Sequence, residues 1–208
     1  MNLEHALFHS DSLVLRQHAD PAYSTIQPAN RYDVGDGQRA IFGTIQEDAS
    51  ADLAQSLTNL FSGKVNRVLW AFDASGTHFL SFSRQGSWTR ISTAVYAANG
   101  THLGVVSNTS QLMNVSYDLH DMDDSVFARV SSQGFFDPTY SIQPTRPGHP
   151  ATVKQIVEDW MREQHTRADT FRLDFGPTVW TKAQRAVILA TALSIDLDFY
   201  EYEPKRED

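Results

Sequence analysis

Ala186-Val-Ile-Leu-Ala-Thr-Ala-Leu-Ser-Ile195 decides the fold of this chain. On a helix these ten residues leave no polar face, and a helix apolar all round must be enclosed by protein or by lipid. They span about 15 Å, against the roughly 20 residues that cross a hydrocarbon core. Asp196 and Asp198 follow directly and make an extension in that direction costly. The stretch reads as the end of a helix near Ala183 to Ile195, enclosed by the rest of the protein. Burying it contributes roughly 1.5–3 kcal/mol per large apolar side chain. Val187, Ile188, Leu189, Leu193 and Ile195 are then among the costliest positions to make polar.

Working outward, most of the remaining chain reads as strand, turn, strand. Ser12–Gln17 opens it. Arg31–Val34 and Arg39–Ile45 flank Gly35-Asp-Gly37, and Arg67–Phe72 and Thr77–Phe82 flank Asp73-Ala-Ser-Gly76. Ala94–Ala97 and His102–Val106 flank Asn99-Gly100, and Val115–Leu119 and Val126–Val130 flank the acidic turn His120–Asp124. Asp, Asn and Gly accept the positive φ of tight turns, so each pair is a hairpin candidate. Two stretches depart from this pattern. Leu53, Leu57, Leu60 and Phe61 follow helical spacing after Asp48 and Ser50 and before Gly63, as an amphipathic surface helix does. Val153, Ile156, Val157, Trp160 and Met161 fit a helix, yet their β-branched members fit a strand, and the reading stays open. Asp137–Pro150, with four prolines, reads as a long irregular connection inside one domain.

A sheet of about a dozen strands needs its inner face filled and its edges closed, and a wholly apolar helix needs walls on every side. Wrapping the sheet round the helix meets both needs. The expected architecture is mostly β: a closed antiparallel barrel of about twelve strands around a buried C-terminal helix.

Composition narrows the function. The 208 residues suit one domain with a proper core, and a net charge of −8 with scattered Lys and Arg argues against nucleic-acid binding. Cysteine is absent, which excludes disulfides, thiolate metal sites and a Cys nucleophile and fits a reducing compartment. The first residues have no basic stretch leading into an apolar one, so no signal peptide is expected, and the expected location is cytoplasmic. Asn99, Asn108 and Asn114 match the glycosylation pattern, but read as ordinary strand and turn residues.

The segment Ala168-Asp-Thr-Phe171, a strand through Phe175, Ala186–Ile195 and Asp196-Leu-Asp-Phe-Tyr-Glu201 together resemble the C-terminal signature of scramblase-like proteins. These include phospholipid scramblases and the LURP-one-related proteins of plants and bacteria, grouped with the tubby C-terminal domain. Leu13–Gln17 followed by Tyr32-Asp-Val34 looks like the opening strands of the bacterial members. The resemblance implies a twelve-stranded barrel around a buried helix, as one domain over residues 7–203 with residues 1–6 and 204–208 as flexible termini. The chain also departs from the family. The acidic segment of calcium-responsive scramblases falls at Arg167, Asp169, Thr178 and Trp180, where only Asp169 is acidic. Ca²⁺ takes six to eight oxygens, so that site is not expected here. The Lys and Arg cluster with which tubby domains hold phosphoinositides has no counterpart beyond Lys64 and Arg67.

Other chemistry is thin. His120-Asp-Met-Asp-Asp124 with Asp118 lacks the glycine and terminal Glu of a calcium loop and reads as a solvated hairpin tip. His5 and His9 stand four apart without a further ligand. Nucleophile elbow, phosphate loop and dinucleotide fingerprint are missing. Among the tryptophans, Trp70 reads as core or barrel wall and Trp88 as the exposed one. The expectation is a non-catalytic binding or scaffold module without cofactor, its partner an unidentified protein, small molecule or lipid, with at most peripheral membrane contact. Trp88, Lys64 and Arg67 are the candidate ligand residues. The alternatives are a peripheral phospholipid-binding or scramblase-like membrane protein, and an enzyme with a motif-free site in the barrel mouth.

Overall fold

A computed structural model of the chain describes residues 2–18, 30–38, 40–48, 64–87, 90–110, 114–132, 138–156 and 169–200. Helix α1 (Leu3–His9) is followed by β1 (Ser12–Gln17), β2 (Arg31–Gly35), β3 (Ile41–Glu47), β4 (Lys64–Asp73), β5 (His78–Ser87) and β6 (Arg90–Ala97). Then come β7 (His102–Asn108), β8 (Ser116–Asp121), β9 (Val126–Ser132), β10 (Thr139–Pro144), β11 (Ala151–Gln155), β12 (Thr170–Asp174) and helix α2 (Lys182–Ile195). Each strand pairs antiparallel with its neighbours in the chain, and β12 pairs with β1 to close the barrel. Closure removes every free sheet edge.

One end, here termed the base, carries the turns 36–40, 74–77, 98–101, 122–125, 145–150 and 175–181, together with α1. The other end, the rim, is marked by Gln17, Arg31, Glu47, Arg90, Asn108 and Gln155. The turns at the base use the residues the sequence offered: Asp73 Oδ1 accepts from Ser75 N and Thr77 N, and Asn99 Oδ1 accepts from Thr101 N. Strand register slips at Val34/Gly35, Ala71/Phe72, Val95/Tyr96 and Leu119/His120, all next to the base. Bulges of this kind bend and twist strands, and so help a sheet to curl shut.

Eight strands leave a barrel interior that side chains fill, and twelve leave room for a helix. Helix α2 takes that room. Every residue from Ala186 to Ile195 is buried, and Val187, Ile188, Leu189, Leu193 and Ile195 are at most 1% exposed. Its N-terminus is a capping box, in which Thr181 Oγ1 accepts from Gln184 N and Thr181 N donates to Gln184 Oε1, both at 3.1 Å. Close approach to the wall depends on Gly104 of β7, where a Cβ would stand 2.8 Å from Val187 Cγ2 and 2.3 Å from the His120 carbonyl oxygen. Among the described residues, no helix is long and apolar enough to cross a membrane.

Two readings change, and one left open is settled in part. Residues 1–6, read as a flexible terminus, include most of α1, whose Leu3, Ala6 and Leu7 are fully buried. Asn2 caps it, and Arg185 of α2 staples it by donating to the Leu7 and Ser10 carbonyls. The stretch 137–150, read as irregular, contains β10, which pairs with β9 and β11. Its Pro144 is a terminal residue of the strand, where a missing N–H costs least. The ambiguous stretch from Val153 begins as strand β11. Residues 157–161 and the proposed helix on Leu53, Leu57, Leu60 and Phe61 lie outside the described residues.

Candidate functional site

Strand alternation turns Leu80 and Phe82 of β5 inward, and the same phase turns Arg84 inward. Gly104 and Val106 of β7 lead in the same way to Asn108, and Tyr117 opens the inward series of β8. These three polar groups meet at the rim around the last turn of α2, which widens there into a π-helical turn over Asp196–Tyr200. Asp198 pairs with Arg84, their side chains 5% and 3% exposed. The same carboxylate accepts from Asn108 Nδ2 at 3.0 Å and from the Tyr117 hydroxyl at 2.8 Å. Burial raises the Tyr117 pKa well above its usual 10.0, and the adjacent Asp198 charge raises it further. Asp196, 1% exposed, accepts from the Tyr32 hydroxyl of β2 at 2.5 Å. One turn earlier, Thr93 of β6 meets Ser194, Oγ1 to Oγ 3.0 Å.

Two carboxylates at a helix C-terminus oppose the macrodipole, whose negative end lies there. Buried, they also carry a desolvation cost that only close partners offset. The barrel wall supplies those partners from β2, β5, β7 and β8, so the network clamps the far end of the helix to the wall. The geometry is that of a latch, with donors from the wall on both carboxylates.

Further polar contacts ring the rim. Gln155 Nε2 donates to Asp169 Oδ1 at 2.8 Å, Gln17 Nε2 to Asn30 Oδ1 at 2.9 Å, and Asn30 Nδ2 to Glu47 Oε2 at 2.9 Å. Of the candidate ligand residues, Arg67 sits in this ring with its Nε 3.6 Å from Glu47 Oε1. Lys64 opens β4, but its side chain lies outside the description, and Trp88 lies outside the described residues. The positions aligned with the calcium segment do not converge. Asp169 lies at the rim end of β12, while Thr178 and Trp180 lie beyond its base end, a strand of roughly 17 Å between them. Thr178 bonds His149, and Trp180 is buried with its indole N–H on the Phe175 carbonyl. Arg167 lies outside the described residues.

At the β8–β9 tip the acidic residues serve the turn. Asp123 Oδ1 accepts from Ser125 N and Oγ, which holds its pKa below the usual value, and Asp121 accepts from Gln184 of α2. His5 and His9 lie side by side on exposed α1 positions, ring centroids 4.4 Å apart and planes tilted by 43°. Among the described residues, no three His, Asp or Glu side chains are placed to hold a metal ion.

Among the described residues, one concavity lies on the outside of the wall. A groove of about 670 Å³ runs over β2, β3 and the base end of β4. Its lining was not picked out from sequence, since Arg31, Thr44, Gln46 and Phe72 belong to three strands and none stands out alone. Trp70, on the outer phase of β4, lies edge-on to His78 at 4.9 Å between centroids.

A family model described as Scramblase matches residues 2–202 of the chain. No curated protein and no solved structure matches it.

Proposed function

The chain belongs to the Scramblase family, and from that premise we propose that it is a non-catalytic binding or scaffold module that receives its ligand or partner on the outer wall of the barrel. The observation that carries this reading is the occupied interior. Helix α2 fills the barrel, and the Asp198–Arg84 network clamps its end. Withdrawal of the helix into lipid would strip two carboxylates of their donors and carry them into hydrocarbon at a few kcal/mol each. A cytoplasmic location belongs to the same reading and is supported by the absence of cysteine.

A second reading, peripheral phospholipid binding with the barrel intact, has one observation in its favour. Among the described residues, the exposed large hydrophobics, Val179 (95%), Met122 (65%) and Ile41 (55%), sit near the base turns. Apolar tips of this kind are what a membrane-touching face presents. Co-sedimentation with neutral, anionic and phosphoinositide-containing liposomes, with and without Ca²⁺, at low and physiological salt, separates the two. The module reading predicts no binding that survives physiological salt. Salt-resistant binding abolished by Val179→Asp would replace it with the second reading.

A further inference from the structure

The outer groove has a definite chemistry. It is an open groove of about 670 Å³ rather than an enclosed cavity, so a ligand there stays partly in solvent. Two carboxylates on its border are already engaged. Asp33 Oδ2 stands 2.7 Å from His18 Nε2, and Asp73 Oδ1 accepts from Ser75 N, Ser75 Oγ and Thr77 N. Arg31 is different: it is exposed and makes no side-chain hydrogen bond or ion pair among the described residues. Among its described lining residues the groove therefore offers one arginine, a planar fork of donors that matches a carboxylate. Its other wall is apolar, with Phe72 half-buried and Ile41 exposed. Arg31 pairs across to Gln46, and Thr44 pairs across to Phe72. Strand spacing and rise put the Arg31 and Phe72 Cα atoms about 12 Å apart, a span that an arginine side chain and one phenyl-sized body fill.

On the reading of the barrel as an exterior binding module, we propose that this groove binds a small aromatic carboxylate, its carboxylate on Arg31 and its ring against Phe72 and Ile41. Thr44 and Gln46, bonded to each other at 3.3 Å, form the polar floor between the two ends.

The test titrates phenylacetate, phenylacetamide and acetate into the ¹⁵N-labelled full chain. Phenylacetate is expected to bind with a Kd of about 1 mM, a reach suited to a ligand of its size. Amide shifts are expected to be confined to β2, β3 and the base end of β4. The amide, without charge, and acetate, without ring, are each expected to bind about tenfold more weakly. Arg31→Gln should erase the preference for the acid while the rest of the spectrum stays in place. Equal affinity for acid and amide, shifts elsewhere on the wall, or no binding at about 20 mM would overturn the groove assignment and leave the module reading standing. Chemical conversion of a probe would instead overturn the non-catalytic reading.

Discussion

Arg84→Met isolates the latch. The change removes the cation paired with Asp198 and keeps an apolar side chain of similar length in the wall. Breaking a buried pair by removing one partner costs about 3–5 kcal/mol, because the other charge stays behind uncompensated. Here two donors remain on the carboxylate, the Tyr117 hydroxyl and Asn108 Nδ2, so the expected loss lies near the lower end, about 3 kcal/mol. In a chain of this size that lowers Tm by about 6–12 °C. The companion double variant Arg84→Met/Asp198→Leu removes both charges. It should recover part of that loss and fall short of the parent by about 1–3 kcal/mol. Hydrophobic replacement of a buried pair is often neutral, but here the Tyr117 and Asn108 donors lose their acceptor. Urea unfolding followed by far-UV circular dichroism and tryptophan fluorescence gives all the values, with coincident transitions as the check on two-state behaviour. A single variant within about 0.5 kcal/mol of the parent would refute the reasoning. So would a double variant as unstable as the sum of the two single changes, because the two groups would then not be coupled.

Three further outcomes follow from the same structure. Tyr117 has its pKa raised in the folded state, so the unfolded chain releases that proton first and stability should fall as pH rises above about 10; Tyr117→Phe should remove that part of the alkaline loss in urea titrations at successive pH values. Gly104 (φ +149) and Gly100 (φ +81) both hold positive φ, but only at Gly104 does an added Cβ meet backbone and helix, so Gly104→Ala should cost well over 2 kcal/mol and Gly100→Ala about 1, read from denaturant midpoints. Leu189→Asp should abolish folding by leaving an unpaired charge inside the barrel, read as lost dispersion in the NMR spectrum; a folded variant that had lost only membrane association would contradict the buried helix.

Much of this fold was legible because turn chemistry and strand alternation are local. Asp73-Ala-Ser-Gly76 and Asn99-Gly100 sit where hairpins require them, and the apolar run announced the helix before any wall was known. Helix α1 was readable in part: Leu3, Ala6 and Leu7 keep helical spacing after the capping Asn2, but seven residues give a weak signal without the tertiary contacts from Arg185. Strand β10 was hidden by its prolines, which mark its ends rather than its absence. The latch left one trace, a cation on the apolar phase of β5, where Leu80 and Phe82 lead to Arg84. Its partner lies 114 residues away, and no local pattern reports such a distance. For the same reason Asp196 and Asp198 read only as a costly extension of the apolar run, whereas the wall provides donors and both side chains are buried. The groove is less legible still, since it joins one face of three strands and depends on which charges their neighbours have already taken.

The central claim is that α2 stays inside the barrel while the molecule works from its outer wall. Hydrogen exchange on the full chain, with and without anionic liposomes, tests it most directly. The account predicts that the amides of Ala186–Ile195 are among the slowest to exchange, opening only with global unfolding, and that liposomes leave their rates unchanged. Faster exchange of this stretch when vesicles are added, or exchange well ahead of the strands without them, would show that the helix leaves the barrel and would contradict the account.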